Sequence, residues 1–308
     1  MNLIITLLGE QPLPNLMPLW QYRNFDAVQF VISERTRELA ETLAAYLPND
    51  PQLHNLHRLP PLLVPPYDLP AARLKIGECL LQSLNVGHAV TLNLTGGTKL
   101  MCLAAMQAAY GLAVPLLYVS SESGEMIFYT SDGVQTRREP IDLCISVEQY
   151  LRAHGIEVSP HQSFRPGSEP AFHPPKEGDL LEEAVFEAAR QSGKFDDVRR
   201  NLYIRRRSRR GEVDNELDVL VTRNGMLAVC SCKSGKVSIS DLYELEALSS
   251  REKFGIYCGK VFAASQPRLS PGFLERAAAD RVRLAYGSQV EAVARKAVDQ
   301  LDQSMKRF

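Results

Sequence analysis

The chain has 308 residues, 45% of them hydrophobic and 23% charged, with a formal net charge of −1. That length favours about two domains, and the ordinary apolar content lets each bury a core. Near-neutral charge excludes nucleic-acid binding through global basicity, so any such contact needs a local patch. The six cysteines (Cys79, Cys102, Cys144, Cys230, Cys232 and Cys258) follow no framework spacing, which points to a reducing cytoplasm. No apolar run is long enough to span a bilayer, so no membrane partner is expected. The opening MNLIITLLGE lacks a basic stretch and reads as a first strand rather than a signal peptide.

In chain order, residues 2–8 and 27–33 (AVQFVIS) read as strands, and 34–46 has the helical spacing of Leu39, Leu43 and Tyr46. A helix over 16–22 lies between the two strands. Residues 62–64 form a short strand before Pro65–Pro66, and Asp68 caps a helix to about Leu84. A strand at 89–95 precedes a helix at 98–110. Residues 115–120 and 126–130 flank SESGE as a hairpin. This β-α-β rhythm implies a mostly parallel sheet with helices on its faces. A connecting helix (SVEQYLRAHGI) is followed by a Pro-, Gly- and Ser-rich linker at 159–178. Asp179 then caps an amphipathic helix, LLEEAVFEAARQ. Strands are expected at 197–204, 216–222 and 226–232, a helix around 240–249, a strand around 260–264, and a final α/β portion. The divisions are residues 1–140, a connector at 141–176, and 177–308.

Two places carry chemistry. The first is NLTGGTKLM (residues 93–101), a strand, a glycine pair and a helix start. Gly96 and Gly97 let the backbone turn sharply and bring N–H groups toward a ligand, and the helix N-terminus favours an anion. Thr95 and Thr98 add hydroxyls and Lys99 adds charge. The spacing fits neither a Walker A loop nor G-x-G-x-x-G, and a plain strand-to-helix turn accounts for it equally well. The loop LLGEQPLPN (residues 7–15) lies at the same sheet edge, where open α/β sheets bind ligands. Gln11 and Asn15 there either bond a base or ribose or cap the next helix.

The second is NELDVLVTRNGMLAVCSCKSG (residues 215–235), two strands joined at Asn224–Gly225. Asp218 lies on one strand and Lys233 ends the other. A carboxylate and an ammonium at one end of a sheet suit metal-assisted phosphodiester hydrolysis. Cys230 and Cys232 face one side of a strand and read as core, since no further zinc ligands lie nearby.

Taken together, NLTGGTKLM, EQPLPN, GDLLEEAVF, NELDVLV and CSCKSGK resemble the CARF–nuclease effectors of type III CRISPR systems over nearly the whole chain. The resemblance implies an α/β chain: a Rossmann-like CARF domain, then a PD-(D/E)XK restriction-endonuclease-like domain. It implies a cytoplasmic homodimer that binds a cyclic oligoadenylate, usually cyclic tetra-adenylate, and then cleaves RNA or DNA. Thr95, Gly96, Gly97, Thr98 and Lys99 would cradle the effector, with Gly9, Gln11, Asn15 and Ser33 completing the pocket. In the second domain Glu182, Asp218 and Lys233 match the nuclease pattern, and the Cys232 carbonyl would join the ligands of a Mg2+ or Mn2+ ion.

Ser231 departs from that pattern, which has an acid there. Either Glu244 or Glu246 on the following helix supplies it, as in restriction enzymes with an S-x-K motif, or the site is weakened. A weakened site would leave a CARF sensor that only binds nucleic acid, with Ser231 holding at most a water. Residues 195–236 carry ten Lys/Arg against six Asp/Glu. Within VRRNLYIRRRSRR, strand alternation would aim Arg205, Arg207 and Arg209 at a phosphate backbone.

Overall fold

The structure, a computed structural model, describes residues 1–121, 123–159, 177–208 and 211–306. These form two compact units, Met1–Leu143 and Cys144–Arg307.

The first unit runs β1 (Asn2–Leu7), α1 (Leu13–Tyr22), β2 (Ala27–Ile32), α2 (Arg37–Tyr46), β3 (His57–Arg58), β4 (Leu62–Leu63), α3 (Leu69–Asn85), β5 (Ala89–Asn93), α4 (Lys99–Ala109), β6 (Leu116–Ser120), β7 (Glu125–Tyr129) and β8 (Gln135–Pro140). Its sheet has the order β3-β2-β1-β5-β6-β7-β8, with β4 also beside β2. The strands from β3 to β6 are parallel, and β7 and β8 add antiparallel. Leu3 to Leu7 are buried without polar alternation beyond Thr6, because helices cover both faces of a central parallel strand. Ile76 and Leu80 of α3 and Ala104 and Ala105 of α4 close one side of this core. Asp68 caps α3 as expected, accepting the Ala71 N–H at 3.0 Å. The edge strand β8 was not foreseen; its QTRREP sequence is charged, which suits an exposed sheet edge.

The second unit runs α5 (Val147–Ala153), β9 (Glu157–Ser159), α6 (Glu177–Ser192), β10 (Asp197–Ser208), β11 (Gly211–Arg223), β12 (Met226–Lys233), α7 (Ile239–Leu248), α8 (Arg251–Phe254), β13 (Cys258–Ala264), α9 (Pro271–Ala279), β14 (Arg283–Tyr286) and α10 (Val290–Met305). The sheet order is β14-β13-β12-β11-β10-β9. Asn224 and Gly225 have φ of 50° and 74°, the paired left-handed residues that a tight hairpin turn requires. Leu181, Val185 and Ala189 of α6, with Ala297 and Leu301 of α10, cover Val219, Val221, Cys230, Val261 and Ala263 on one sheet face.

Two expectations change. Residues 141–176 do not form one connector, because α5 and β9 belong to the second unit. β9 pairs antiparallel with β10, the Tyr150 hydroxyl donates to Phe254 O at 2.7 Å, and Val147 N–H donates to Asp197 Oδ2 at 3.0 Å. The helix expected to start after Asp179 begins at Glu177, so Asp179 lies inside its first turn. The proline-rich stretch 160–176 lies outside the described residues. Among the described residues, no helix is long and apolar enough to cross a membrane.

Candidate active site and effector pocket

In the first sheet β2 lies on one side of β1 and β5 on the other, so strand order reverses between β1 and β5. The loops leaving these two strands meet at that crevice, where α/β sheets bind ligands. They meet closely. A Cβ on Gly96 would stand 2.0 Å from Leu7 O and 2.6 Å from Gly9 N, and one on Gly9 would stand 3.2 Å from Gly97 N. Gly97 has φ 74°, a left-handed backbone.

The expected polar groups divide into two sets. Thr95 Oγ1 donates to Asn93 Oδ1 at 2.6 Å and accepts the Val119 N–H at 2.8 Å, so it ties the turn to β6. Thr98 Oγ1 donates to Pro66 O at 2.7 Å and accepts Met101 N–H at 3.1 Å, the N-cap of α4. Asn15 is fully buried, accepts the Thr6 hydroxyl at 2.7 Å and donates to Gln11 O at 3.2 Å. Ser33 is buried in a capping box with Thr36. These four side chains shape the crevice from inside. Gly97 and Lys99 are exposed on it, and Gly9, Gln11 and Gly96 are half-buried.

In the second unit, pairing of β11 with β12 runs from the turn to Val219–Cys230. Just beyond, the half-buried Asp218 side chain enters the gap. Its Oδ2 accepts the Cys232 N–H at 2.7 Å and the Ser231 hydroxyl at 3.2 Å. Burial pushes the Asp218 carboxyl above the usual carboxylate range; the Cys232 N–H, the Lys233 charge and the Ser231 hydroxyl pull it back, and Glu216 pushes it further up. Glu182 of α6 is brought to the same place. Its charge and that of Asp218 both reach the Cys232 thiol, which is raised first by its hydrogen bond to Cys230 and then by burial. Cys230 and Cys232 lie in the core with sulfurs 3.9 Å apart.

Asp218, Ser231 and Cys232 are therefore in contact, with the charge of Lys233 felt at Asp218 and that of Glu182 at Cys232. Glu244 and Glu246 are not shown joining them: Glu246 is ion-paired with Lys260 of β13, and Glu244 is exposed. One residue was overlooked. Glu216 stands two positions before Asp218 on the same strand face, a spacing that NELDVLV displays openly. Tyr203 pairs with Glu216 and donates to its Oε2 at 2.6 Å. Burial, that bond and the Glu182 charge push the Tyr203 hydroxyl up to about 12.

The arginine run is less available than its sequence suggests. Arg205 makes a bidentate pair with Asp214, at 2.7 and 2.9 Å. Arg200 pairs with Glu183 and lies 5.3 Å from the centre of the Phe186 ring. Arg207 lies on β10, and Arg209 lies outside the described residues.

Among the described residues, no three His, Cys, Asp or Glu side chains converge to hold a metal by themselves. The donor set instead fits a small hard cation that keeps its waters and takes one or two carboxylates plus substrate phosphate. Asp218 has one oxygen occupied by Cys232 and Ser231 and sits where burial disfavours its charge, so a bound cation would relieve it.

Residues 3–150 match the family model of the Card1 CARF domain, and residues 175–302 match that of the Card1-like endonuclease domain. Among solved structures, the chain resembles Can2 from Sulfobacillus thermosulfidooxidans in complex with cyclic tetra-adenylate. That likeness has a TM-score of 0.78 and 20% identity, covering 98% of this chain and 99% of that one. Protein VC1899 from Vibrio cholerae gives 0.78 at 14% identity over 99% of both chains. A type III CRISPR defence DNA nuclease activated by cyclic oligoadenylate gives 0.62 at 18% identity, covering 87% of this chain and 46% of that one. No protein with a curated description matches. The chain therefore joins a domain of the Card1 CARF family to a domain of the Card1-like endonuclease family.

Proposed function

We propose that this protein is a nuclease activated by a cyclic oligoadenylate, cyclic tetra-adenylate by preference, that hydrolyses phosphodiester bonds of RNA or DNA in the cytoplasm as part of type III CRISPR defence. The observation that carries the reading is the grouping of Asp218, Glu182 and Lys233 at the place where β11 and β12 part. Its support in the first unit is the glycine-built crevice with Lys99 at its rim, the unit that matches the Card1 CARF model. The solved relative Can2 holds cyclic tetra-adenylate.

Asp218 and the Cys232 carbonyl would hold Mg2+ or Mn2+, with Glu182 and Glu216 near enough to hold its waters. When bound, such an ion stabilises the charge that builds on the phosphate and lowers the pKa of water. Lys233 orients the attacking water and shares the phosphate charge. Ser231 keeps the Asp218 carboxylate in place through its hydroxyl. The Thr95–Lys99 turn and Gly9–Gln11 receive the effector's phosphates and ribose in each protomer of a homodimer. Activation requires that the effector bind the cleavage-competent state more tightly than the resting one.

Ser231 also favours a second reading, a sensor whose nuclease fold only binds nucleic acid. One experiment separates them. Single-stranded RNA and supercoiled plasmid are incubated with Mg2+ or Mn2+, with and without cyclic tetra-adenylate. Effector-dependent cutting that falls on the order of 100-fold in Lys233→Ala establishes the nuclease. Effector binding without cutting by the wild type, in either metal, would establish the sensor.

A further inference from the structure

β10 runs through Asn201 even though that residue has φ 49°, in the left-handed region. Asparagine enters that region more readily than most residues, but the interior of a strand is an unusual place for it. The ladder fixes where it stands. Arg200 pairs with Val219 and Leu202 with Leu217, so Asn201 lies across from Asp218. Tyr203, two positions on, pairs with Glu216, the residue two before Asp218. The pairs on either side keep their register, so Asn201 occupies the ladder position opposite Asp218, on the strand beside both acids.

The Asn201 Oδ1 atom is buried and has no hydrogen-bond partner among the described residues. A buried amide oxygen in that state calls for a water or an ion. Its cross-strand neighbour supplies no donor. Asp218 is a carboxylate whose Oδ2 already accepts two hydrogen bonds from β12. An amide oxygen and a carboxylate at opposite positions of a strand pair are both acceptors and are stable together when a cation lies between them, and amide carbonyls are ordinary ligands of hard divalent ions.

We propose that Asn201 supplies a neutral oxygen ligand to the divalent cation held at Asp218, and so fills the role of the acid that Ser231 lacks. This rests on the metal-site reading of the second unit. It also accounts for asparagine at this position: the residue both tolerates the left-handed backbone and brings an oxygen.

The test is Mn2+ binding to the full chain without substrate, by isothermal titration calorimetry, with melting curves of each metal-free variant. Asn201→Gly keeps the backbone comfortable and removes the oxygen, so it should bind Mn2+ on the order of tenfold more weakly while melting no lower than wild type. Asn201→Asp keeps an oxygen and adds charge, so it should bind at least as tightly as wild type. Unchanged affinity in Asn201→Gly, with affinity lost in Asp218→Ala, would overturn the role of Asn201 and leave the metal site standing. Weaker binding in Asn201→Asp would overturn it as well. Equal, negligible binding by wild type and Asp218→Ala would remove the metal site itself and this proposal with it.

Discussion

Replacing Gly96 by alanine tests whether the two effector loops are built against each other. The added methyl would lie 2.0 Å from Leu7 O, 2.6 Å from Gly9 N and 3.1 Å from Leu7 C, all main-chain atoms with no rotamer to yield. Ordinary contact begins near 3.4 Å, so the loops must part by about 1.4 Å at the closest atom. The end of β1 is held between two neighbours: Leu8 N–H donates to Val31 O at 2.9 Å, and Thr6 is in register with Asn93 of β5. Parting the loops disturbs one or two such bonds, about 1 kcal/mol each, and adds overpacking strain of about 1–3 kcal/mol. The expected loss is roughly 3–4 kcal/mol, which for a unit of this size lowers its melting temperature by about 10 °C. Scanning calorimetry resolves the transition of the first unit, and titration with cyclic tetra-adenylate should show binding lost. Gly87→Ala is the control. Gly87 also has a left-handed backbone, φ 81°, but nothing lies within 4 Å of its added Cβ, so only about 1–2 kcal/mol is at stake. The reasoning fails if Gly96→Ala melts no lower than Gly87→Ala and still binds effector.

Three further predictions follow from the geometry. Burial raises the Asp218 carboxyl, so its ionised form weighs against folding once the pH exceeds that raised value, while its protonated form carries no such penalty below the ordinary aspartate range. Metal-free Asp218→Asn should therefore melt higher than wild type at pH 7, with the gap closing near pH ~4; added Mn2+ should raise the wild-type melting point alone. A variant that melts lower at neutral pH would contradict this. Cys232→Ala should keep Mn2+ affinity within about twofold, because its assigned ligand is the backbone carbonyl, while losing about 1 kcal/mol of stability from the core; calorimetric titration beside a melt checks both. Lys99→Ala should weaken cyclic tetra-adenylate binding on the order of tenfold with an unchanged melting point, since Lys99 is exposed at the N-terminus of α4. Equal affinity by calorimetry would remove Lys99 from the pocket.

Much of the fold was legible because it is dictated locally. The apolar runs of β1, β2 and β5, the Asp68 cap and the Asn224–Gly225 turn each follow from a requirement of their own residues. β8 was hidden because an exposed edge strand needs no apolar alternation. In the site, the sequence pointed to Asp218 of the hairpin but not to the duties of the crevice's polar side chains. Thr95, Thr98, Asn15 and Ser33 look like ligand groups in a loop, yet each satisfies a backbone or side-chain group brought near by the fold. The partner of Glu246 is Lys260, on another strand, so helix position alone gave no hint that this acid was already engaged. Glu216 was readable from its spacing to Asp218. The left-handed backbone of Asn201 was not, because nothing in YIRRRS or its surroundings requires it.

Asp218 has a second duty that bears on how members of this family should be judged. Where the β11–β12 ladder stops, its carboxylate takes the main-chain N–H of Cys232, so it mends the sheet at the point where it would hold the cation. A descendant that lost all catalysis would still have reason to keep this aspartate, and the presence of the acid is therefore poor testimony to a working enzyme. Lys233 carries no such obligation. Its ammonium makes no hydrogen bond or ion pair among the described residues, and its charge is felt at Asp218. A lysine with no structural employment among the described residues, beside a carboxylate that has one, is the better witness to the proposed chemistry, and its replacement is the cleaner test of it.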